Sequence, residues 1–180
     1  MIEELLEFNK KFVENKQYEK YITSKYPSKK VAIISCMDTR LTELLPAALG
    51  LKNGDVKMIK NAGAMISSPF GSVIRSLIIA IYQLDVDEIL VIGHRDCGMQ
   101  NLDSHEILEK MKERNISEEN VRLMKYYGLD FDSWLKGFGC AHESVKETVN
   151  YIVDHPLIPK DIKVYGLIID PTTGQVDRVI

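Results

Sequence analysis

Apolar positions along the chain recur with two different periods, and the switches between them mark the elements. Ile2, Leu5, Leu6, Phe8, Phe12 and Val13 lie at near-helical spacing with glutamates and lysines between them. They predict an amphipathic helix over residues 2–22, ended by the breaker segment Ser24-Lys25-Tyr26-Pro27-Ser28. Val31-Ala32-Ile33-Ile34-Ser35 is a short continuous apolar run, the pattern of a strand covered on both faces, as in a parallel sheet. Residues 41–50 read as a helix stopped at Gly50. Residues 56–60 alternate as a second strand and run into the tight loop Asn61-Ala62-Gly63-Ala64, and residues 72–84 read as a buried helix. Residues 88–93 form a strongly apolar third strand with a central position in the sheet. Residues 104–114 and 117–126 read as surface helices, the second opened by Ser117. An amphipathic helix over 141–154 is stopped by His155-Pro156. Residues 163–169 form a fourth strand, Asp170-Pro171-Thr172-Thr173-Gly174 a turn, and residues 176–180 a returning edge strand.

Strands alternate with helices. The order predicts an α/β fold: a mostly parallel central β-sheet flanked by helices, with an N-terminal helical arm. No repeat or internal linker interrupts it. Residues 1–180 are expected to form one domain, with residues 1–26 as the arm and 28–180 as the core. In such sheets ligands bind outside the carboxyl ends of the strands. That rule directs attention to the residues that follow positions 35 and 93.

Composition changes this picture little and narrows the partners. The chain is 45% hydrophobic and 27% charged, ordinary for a globular protein. A net charge of −3 gives no electrostatic reason to expect nucleic acid or an anionic membrane as partner. No apolar stretch approaches the roughly 20 residues of a membrane span. The start, Met1-Ile2-Glu3-Glu4, lacks the basic and apolar regions of a signal peptide, so a cytoplasmic location is expected. Three cysteines are an odd number, which leaves at least one thiol outside any disulfide framework. In a reducing compartment, cysteines near a histidine read as metal ligands before they read as a bridge.

The chemistry concentrates in two motifs at two strand ends, Cys36-Met37-Asp38-Thr39-Arg40 and His94-Arg95-Asp96-Cys97-Gly98. Two thiolates, an imidazole and a carboxylate suit one tetrahedral zinc, Zn2+. A zinc on three protein ligands keeps a position for water, which becomes a nucleophile near neutral pH. Two roles compete for Asp38. It closes the site as a fourth ligand, or it pairs with Arg40, whose planar fork holds a carboxylate in a fixed orientation. Asp96 is expected to cap a helix start by accepting from backbone amides. Gly98 would allow close approach after Cys97, and Gly63 lines the pocket or simply makes an ordinary turn. Arg75, in a helix expected to be buried, needs a partner there. Cys140 and His142 form a second Cys/His pair without further ligands nearby in sequence. Cys140 is expected to be buried, with His142, His105 and His155 at the surface.

Cys36-Met37-Asp38-Thr39-Arg40, Asn61-Ala62-Gly63, Val73-Ile74-Arg75-Ser76-Leu77 and His94-x-Asp96-Cys97-Gly98-Met99 together resemble the β-class carbonic anhydrases, most closely their short prokaryotic branch. The resemblance is good over about residues 28–100 and looser through His155-Pro156 and Val164–Asp170; residues 103–140 carry little of it. It implies one zinc per chain held by Cys36, His94 and Cys97, with Asp38 and Arg40 as a dyad. It implies reversible hydration of carbon dioxide to bicarbonate and a proton by zinc-bound hydroxide. It also implies a homodimer or a multiple of dimers, with the N-terminal helix lying on the partner. Two departures stand out. Arg95 occupies a position where the family carries a small or neutral residue, and the pocket glutamine of the plant-type branch has no counterpart. The same site would serve a carbonyl sulfide or carbon disulfide hydrolase. Closed by Asp38, it would be a structural zinc site in a dimer module. A redox role for the cysteines is disfavoured by the lack of a Cys-x-x-Cys motif.

Overall fold

A computed structural model describes residues Met1–Ile180. Five strands form one sheet in the order β2-β1-β3-β4-β5. They are β1 (Val31–Cys36), β2 (Val56–Asn61), β3 (Glu88–His94), β4 (Lys163–Ile169) and β5 (Val176–Arg178). The first four are mutually parallel and β5 returns antiparallel to β4. The mostly parallel α/β fold is therefore as its alternating pattern predicts. The chain turns left from β1 to β2 and then resumes on the other side of β1 with β3. The β1/β3 seam is thus a topological switch point, where the loops leaving two adjacent strands diverge and open a crevice.

Helices cover both faces. On one side α3 (Ser72–Leu84) and α7 (Ala141–Asp154) bury Ile74, Leu77, Ala80, Val145, Val149 and Ile152 against Ala32, Ile34, Ile89 and Val91 of the sheet. On the other, α2 (Leu41–Ala48) buries Leu41 and Leu45 with Ile33, Ile92 and Ile169, and this second cluster ends at Cys36 and Cys97. Two glycines bring α7 close to the sheet. A Cβ on Gly93 would lie 2.7 Å from Val145 Cγ2, and one on Gly166 would lie 2.6 Å from Val145 Cγ1. Val145 therefore occupies space that only two neighbouring glycines leave free.

Several boundaries differ from the sequence reading. The first helix, α1 (Ile2–Glu14), stops eight residues early. Its apolar series ends at Val13, Asn15 caps it, and Lys16 turns left-handed at φ 53°. A short 3-10 turn, Glu19–Tyr21, follows, tied to the core through Asn53 Nδ2 donating to the Tyr21 carbonyl at 2.6 Å. None of the residues of α1 is buried. The helix over 72–84 is half-buried, not buried, and Arg75 projects from its exposed side with no ion pair. Residues 103–140 fold into α4 (Ser104–Glu113), α5 (Glu118–Tyr126) and a short α6 (Phe131–Trp134), the last without forewarning because four residues hold no period. Ser117 caps α5 as expected, its Oγ accepting from the Asn120 amide at 3.2 Å.

Candidate metal centre

Cys36 is the last residue of β1 and His94 the last of β3, so two adjacent strands deliver them to the same end of the sheet. Asp96 takes a left-handed φ of 53°, which turns the chain back and returns Cys97 beneath His94. The Cys36, His94 and Cys97 side chains are buried, and their ligand atoms all lie within 4.8 Å of one another. Three observations test whether these residues fit a tetrahedral cation. The two sulfurs are 3.8 Å apart. That is the edge of a tetrahedron with sulfur about 2.3 Å from its centre, roughly 3.8 Å. His94 Nδ1 lies 2.9 Å from the Arg95 carbonyl, so Nδ1 carries the proton and Nε2 presents a lone pair. Nε2 is buried without any hydrogen-bond partner. A buried polar atom with no partner is costly unless something binds it. The donors therefore suit a thiophilic cation such as zinc.

The polar surroundings favour negative sulfur. The backbone at Gly63 and Asp38 favours a Cys36 thiolate, and the backbone at Met99 favours a Cys97 thiolate. With no cation between them, the Cys97 thiol hydrogen bond draws the Cys36 thiol down to about 4 against its burial, with His94 and the backbone at Gly63 and Asp38 assisting. The resulting Cys36 thiolate pushes Cys97 up, so the pair holds a single proton. Burial alone would depress His94; the Cys36 sulfur, the Arg95 carbonyl and the Asp38 charge outweigh it and raise it. A cation would displace the remaining thiol proton, because its ligands must be thiolates and neutral imidazole.

Asp38 lies on Arg40, not among the sulfurs. Arg40 Nε donates to Oδ1 at 3.0 Å and Nη2 to Oδ2 at 2.8 Å, and the Arg40 amide also donates to Oδ1 at 2.9 Å. The guanidinium holds the Asp38 carboxyl down at about 2. Oδ2 still faces the centre, 3.8 Å from His94 Nε2. Asp96 does not cap a helix. Its Oδ2 accepts from Arg40 Nη1 at 2.9 Å and its carbonyl from Nη2 at 2.8 Å, so Arg40 is gripped from both sides. Sequence alone hid this, because Asp96 and Arg40 are 56 positions apart.

The remaining candidates separate. Gly63 needs its glycine: φ is 79°, and a Cβ would meet Met65 Sδ, Met99 Cγ and Phe138 Cε1, each at 3.2 Å. Gly98 is exposed with nothing within 4 Å of a Cβ, so close approach does not explain it. Arg95 turns from the centre toward the β4–β5 edge, with Nη2 3.3 Å from Asp177 Oδ2. Cys140 is exposed, not buried, at the start of α7, and His142 and His105 are exposed. His155 is buried, contrary to expectation. Lys60 went unremarked in sequence; its ammonium donates to the Cys36 carbonyl at 3.3 Å, and burial lowers its pKa.

A family model described as carbonic anhydrase matches residues 31–176. The chain belongs to the β-carbonic anhydrase family. The Bacillus subtilis (strain 168) protein YtiB, provisionally named a carbonic anhydrase, is 54% identical over 180 residues, covering 100% of this chain and 96% of its own. The crystal structure of β-carbonic anhydrase isoform I from Trichomonas vaginalis superposes with a TM-score of 0.91 at 33% identity, covering 100% of this chain and 97% of that one. A carbon disulfide hydrolase of Acidithiobacillus thiooxidans is 29% identical over 156 residues, 82% of this chain and 76% of its own. The family thus contains more than one named activity. No helix of the protein is long and apolar enough to cross a membrane.

Proposed function

We propose that Cys36, His94 and Cys97 hold one zinc ion per chain and that the protein reversibly hydrates carbon dioxide to bicarbonate and a proton. The observation that carries this reading is the buried, unpartnered His94 Nε2 beside two sulfurs 3.8 Å apart, with Asp38 withdrawn onto Arg40. Three protein donors, not four, is the pattern of a catalytic zinc site. Zinc bound there supplies a Lewis acid that makes water nucleophilic near neutral pH.

The chain's own residues supply the rest. The Arg95 carbonyl fixes the His94 ring, and the backbone at Gly63, Asp38 and Met99 favours the thiolates. Asp38 is an ionised acceptor whose Oδ2 faces the centre; it takes a hydrogen bond from the attacking water and turns a lone pair toward the substrate carbon. Arg40 fixes the position of that carboxylate, and Asp96 fixes Arg40. Carbon dioxide has no dipole, so its place is set by shape; Gly63, packed against Met65, Met99 and Phe138, and the unobstructed Gly98 are the residues proposed to shape it. The test is zinc content and carbon dioxide hydration of the wild type and of Cys97→Ser, which removes one ligand. Turnover that survives loss of the ligand would overturn the assignment.

A second reading is hydrolysis of carbon disulfide or carbonyl sulfide at the same centre, supported by the carbon disulfide hydrolase among the relatives. Sulfide release from either compound, faster than carbon dioxide hydration, would favour it. A closed structural zinc site is disfavoured by the Asp38–Arg40 pair. The exposed face of α1, with Ile2, Leu5, Leu6 and Phe8 each more than half exposed, supports a homodimer in which this helix covers a second copy. Thiolate ligands call for a reducing compartment, the ground for placing the protein in the cytoplasm.

A further inference from the structure

A cleft of about 230 Å³ opens beside the metal centre. Its lining includes Met99 and Asn61-Ala62, the residues just before Gly63, and Asn61 pairs with Cys36 across the sheet. One wall is the loop between Met65 and Ser72; the other includes Trp134, the chain's only tryptophan. The loop has few attachments. Asn61 Nδ2 donates to the Met65 carbonyl at 2.6 Å at its start, and the Gly71 amide returns to Ser68 within it. From Ile66 to Phe70 the one hydrogen bond reaching outside the loop comes from His155, whose Nε2 lies 3.1 Å from the Pro69 carbonyl.

His155 is only 4% exposed, and both its nitrogens are used. Nδ1 accepts from the Leu157 amide at 3.2 Å, which makes Nε2 the protonated nitrogen and the donor to Pro69. The Nδ1 bond is local and shapes the chain after α7. The Nε2 bond spans 86 positions and joins the end of α7 to the cleft wall. A buried donor must find an acceptor or bear its full desolvation cost, so the imidazole and the Pro69 carbonyl hold each other.

We propose that His155 is a positioning residue that latches the 65–71 loop and thereby sets the width of the route by which substrate reaches the metal centre. The kinetic part of this rests on the proposed carbon dioxide hydration; the latch itself does not.

Two substitutions separate the two bonds. In His155→Asn the side-chain oxygen still accepts from Leu157, but nothing reaches Pro69. In His155→Gln the amide nitrogen reaches the position of Nε2 and restores the donor. Chymotrypsin reads the loop at Phe70, which is 82% exposed, and Tyr126 and Tyr127 on α5 and its cap serve as controls in the same digest. For His155→Asn the expected result is cleavage after Phe70 about fivefold faster, the equivalent of one hydrogen bond, with Tyr126 and Tyr127 unchanged. Acrylamide quenching of Trp134 should rise, and KM for carbon dioxide should change with kcat held within about twofold. His155→Gln should return all three toward wild type. Unchanged cleavage at Phe70 would overturn the latch, and so would equal acceleration at Phe70, Tyr126 and Tyr127, which means general destabilisation. Faster cleavage at Phe70 with unaltered quenching and KM would overturn the link to the cleft. A wild-type protein without carbon dioxide turnover would sink the proposed function while leaving the digest and the quenching to judge the latch.

Discussion

Replacing Asp38 by asparagine isolates the part of the centre that does not hold metal. The carboxylate meets Arg40 through a two-point fork, Nε to Oδ1 at 3.0 Å and Nη2 to Oδ2 at 2.8 Å. An asparagine amide has one acceptor and one donor group, so one arm of the fork sets donor against donor. It also removes the charge that strengthens both arms. Hydrogen bonds to charged groups contribute about 1.5–3 kcal/mol each. If one such bond orients the attacking water in the transition state, its loss lowers turnover by about 10- to 150-fold, at 1.36 kcal/mol per decade. None of the three ligand atoms changes, so zinc content should stay at one per chain. The assay is stopped-flow carbon dioxide hydration on samples of measured zinc content. Turnover within twofold of wild type, at full zinc content, would remove Asp38 from the mechanism.

Other outcomes follow from the same geometry. Asp38 sits at about 2 because Arg40 holds it, so its ionised form persists down through the ordinary carboxylate range and is lost only as pH falls toward that value. The pH–rate profile should therefore show no limb from Asp38 between pH 5 and 9; a limb that vanishes in Asp38→Asn would contradict this. Asp96→Ala should leave stability almost unchanged, because its carboxylate is 87% exposed, yet lower turnover several-fold through a looser Arg40; an unaltered rate would make Asp96 a bystander. Gly93→Ala places a methyl 2.7 Å from Val145 Cγ2 and should cost about 1–3 kcal/mol, seen as a fall in Tm of roughly 2–4 °C per kcal/mol. Zinc present at a thousand times its Kd should add about 4 kcal/mol of stability, so chelation should lower the melting temperature measurably.

The parallel sheet was legible because its strands are short, continuous apolar runs and its helices carry a clear period; the bounds of α3, α7 and β4 match the pattern to the residue. The gathering of Cys36, His94 and Cys97 was legible because Cys36 and His94 follow two such runs. The failures are of another kind. The first helix ends short of its expected bound because the period ceases before Lys16, where the backbone turns left-handed. His155 reads as a surface residue, yet it is buried, and its carbonyl partner is 86 positions away. Asp96 reads as the cap of a helix start, while its partner, Arg40, comes from another strand's loop. Long-range polar pairing leaves no period in the chain. Within residues 103–140 the periodic segments place α4 and α5 to within a residue at each end, and only α6 escapes, because four residues hold no period.

The most direct measurement is stopped-flow carbon dioxide hydration by zinc-loaded protein across pH 6–9, alongside Cys97→Ser. The proposed function predicts turnover well above buffer, rising with pH because thiolate ligands keep the zinc a weaker acid, and lost with the ligand. No turnover at any pH, with one zinc bound per chain, would contradict it.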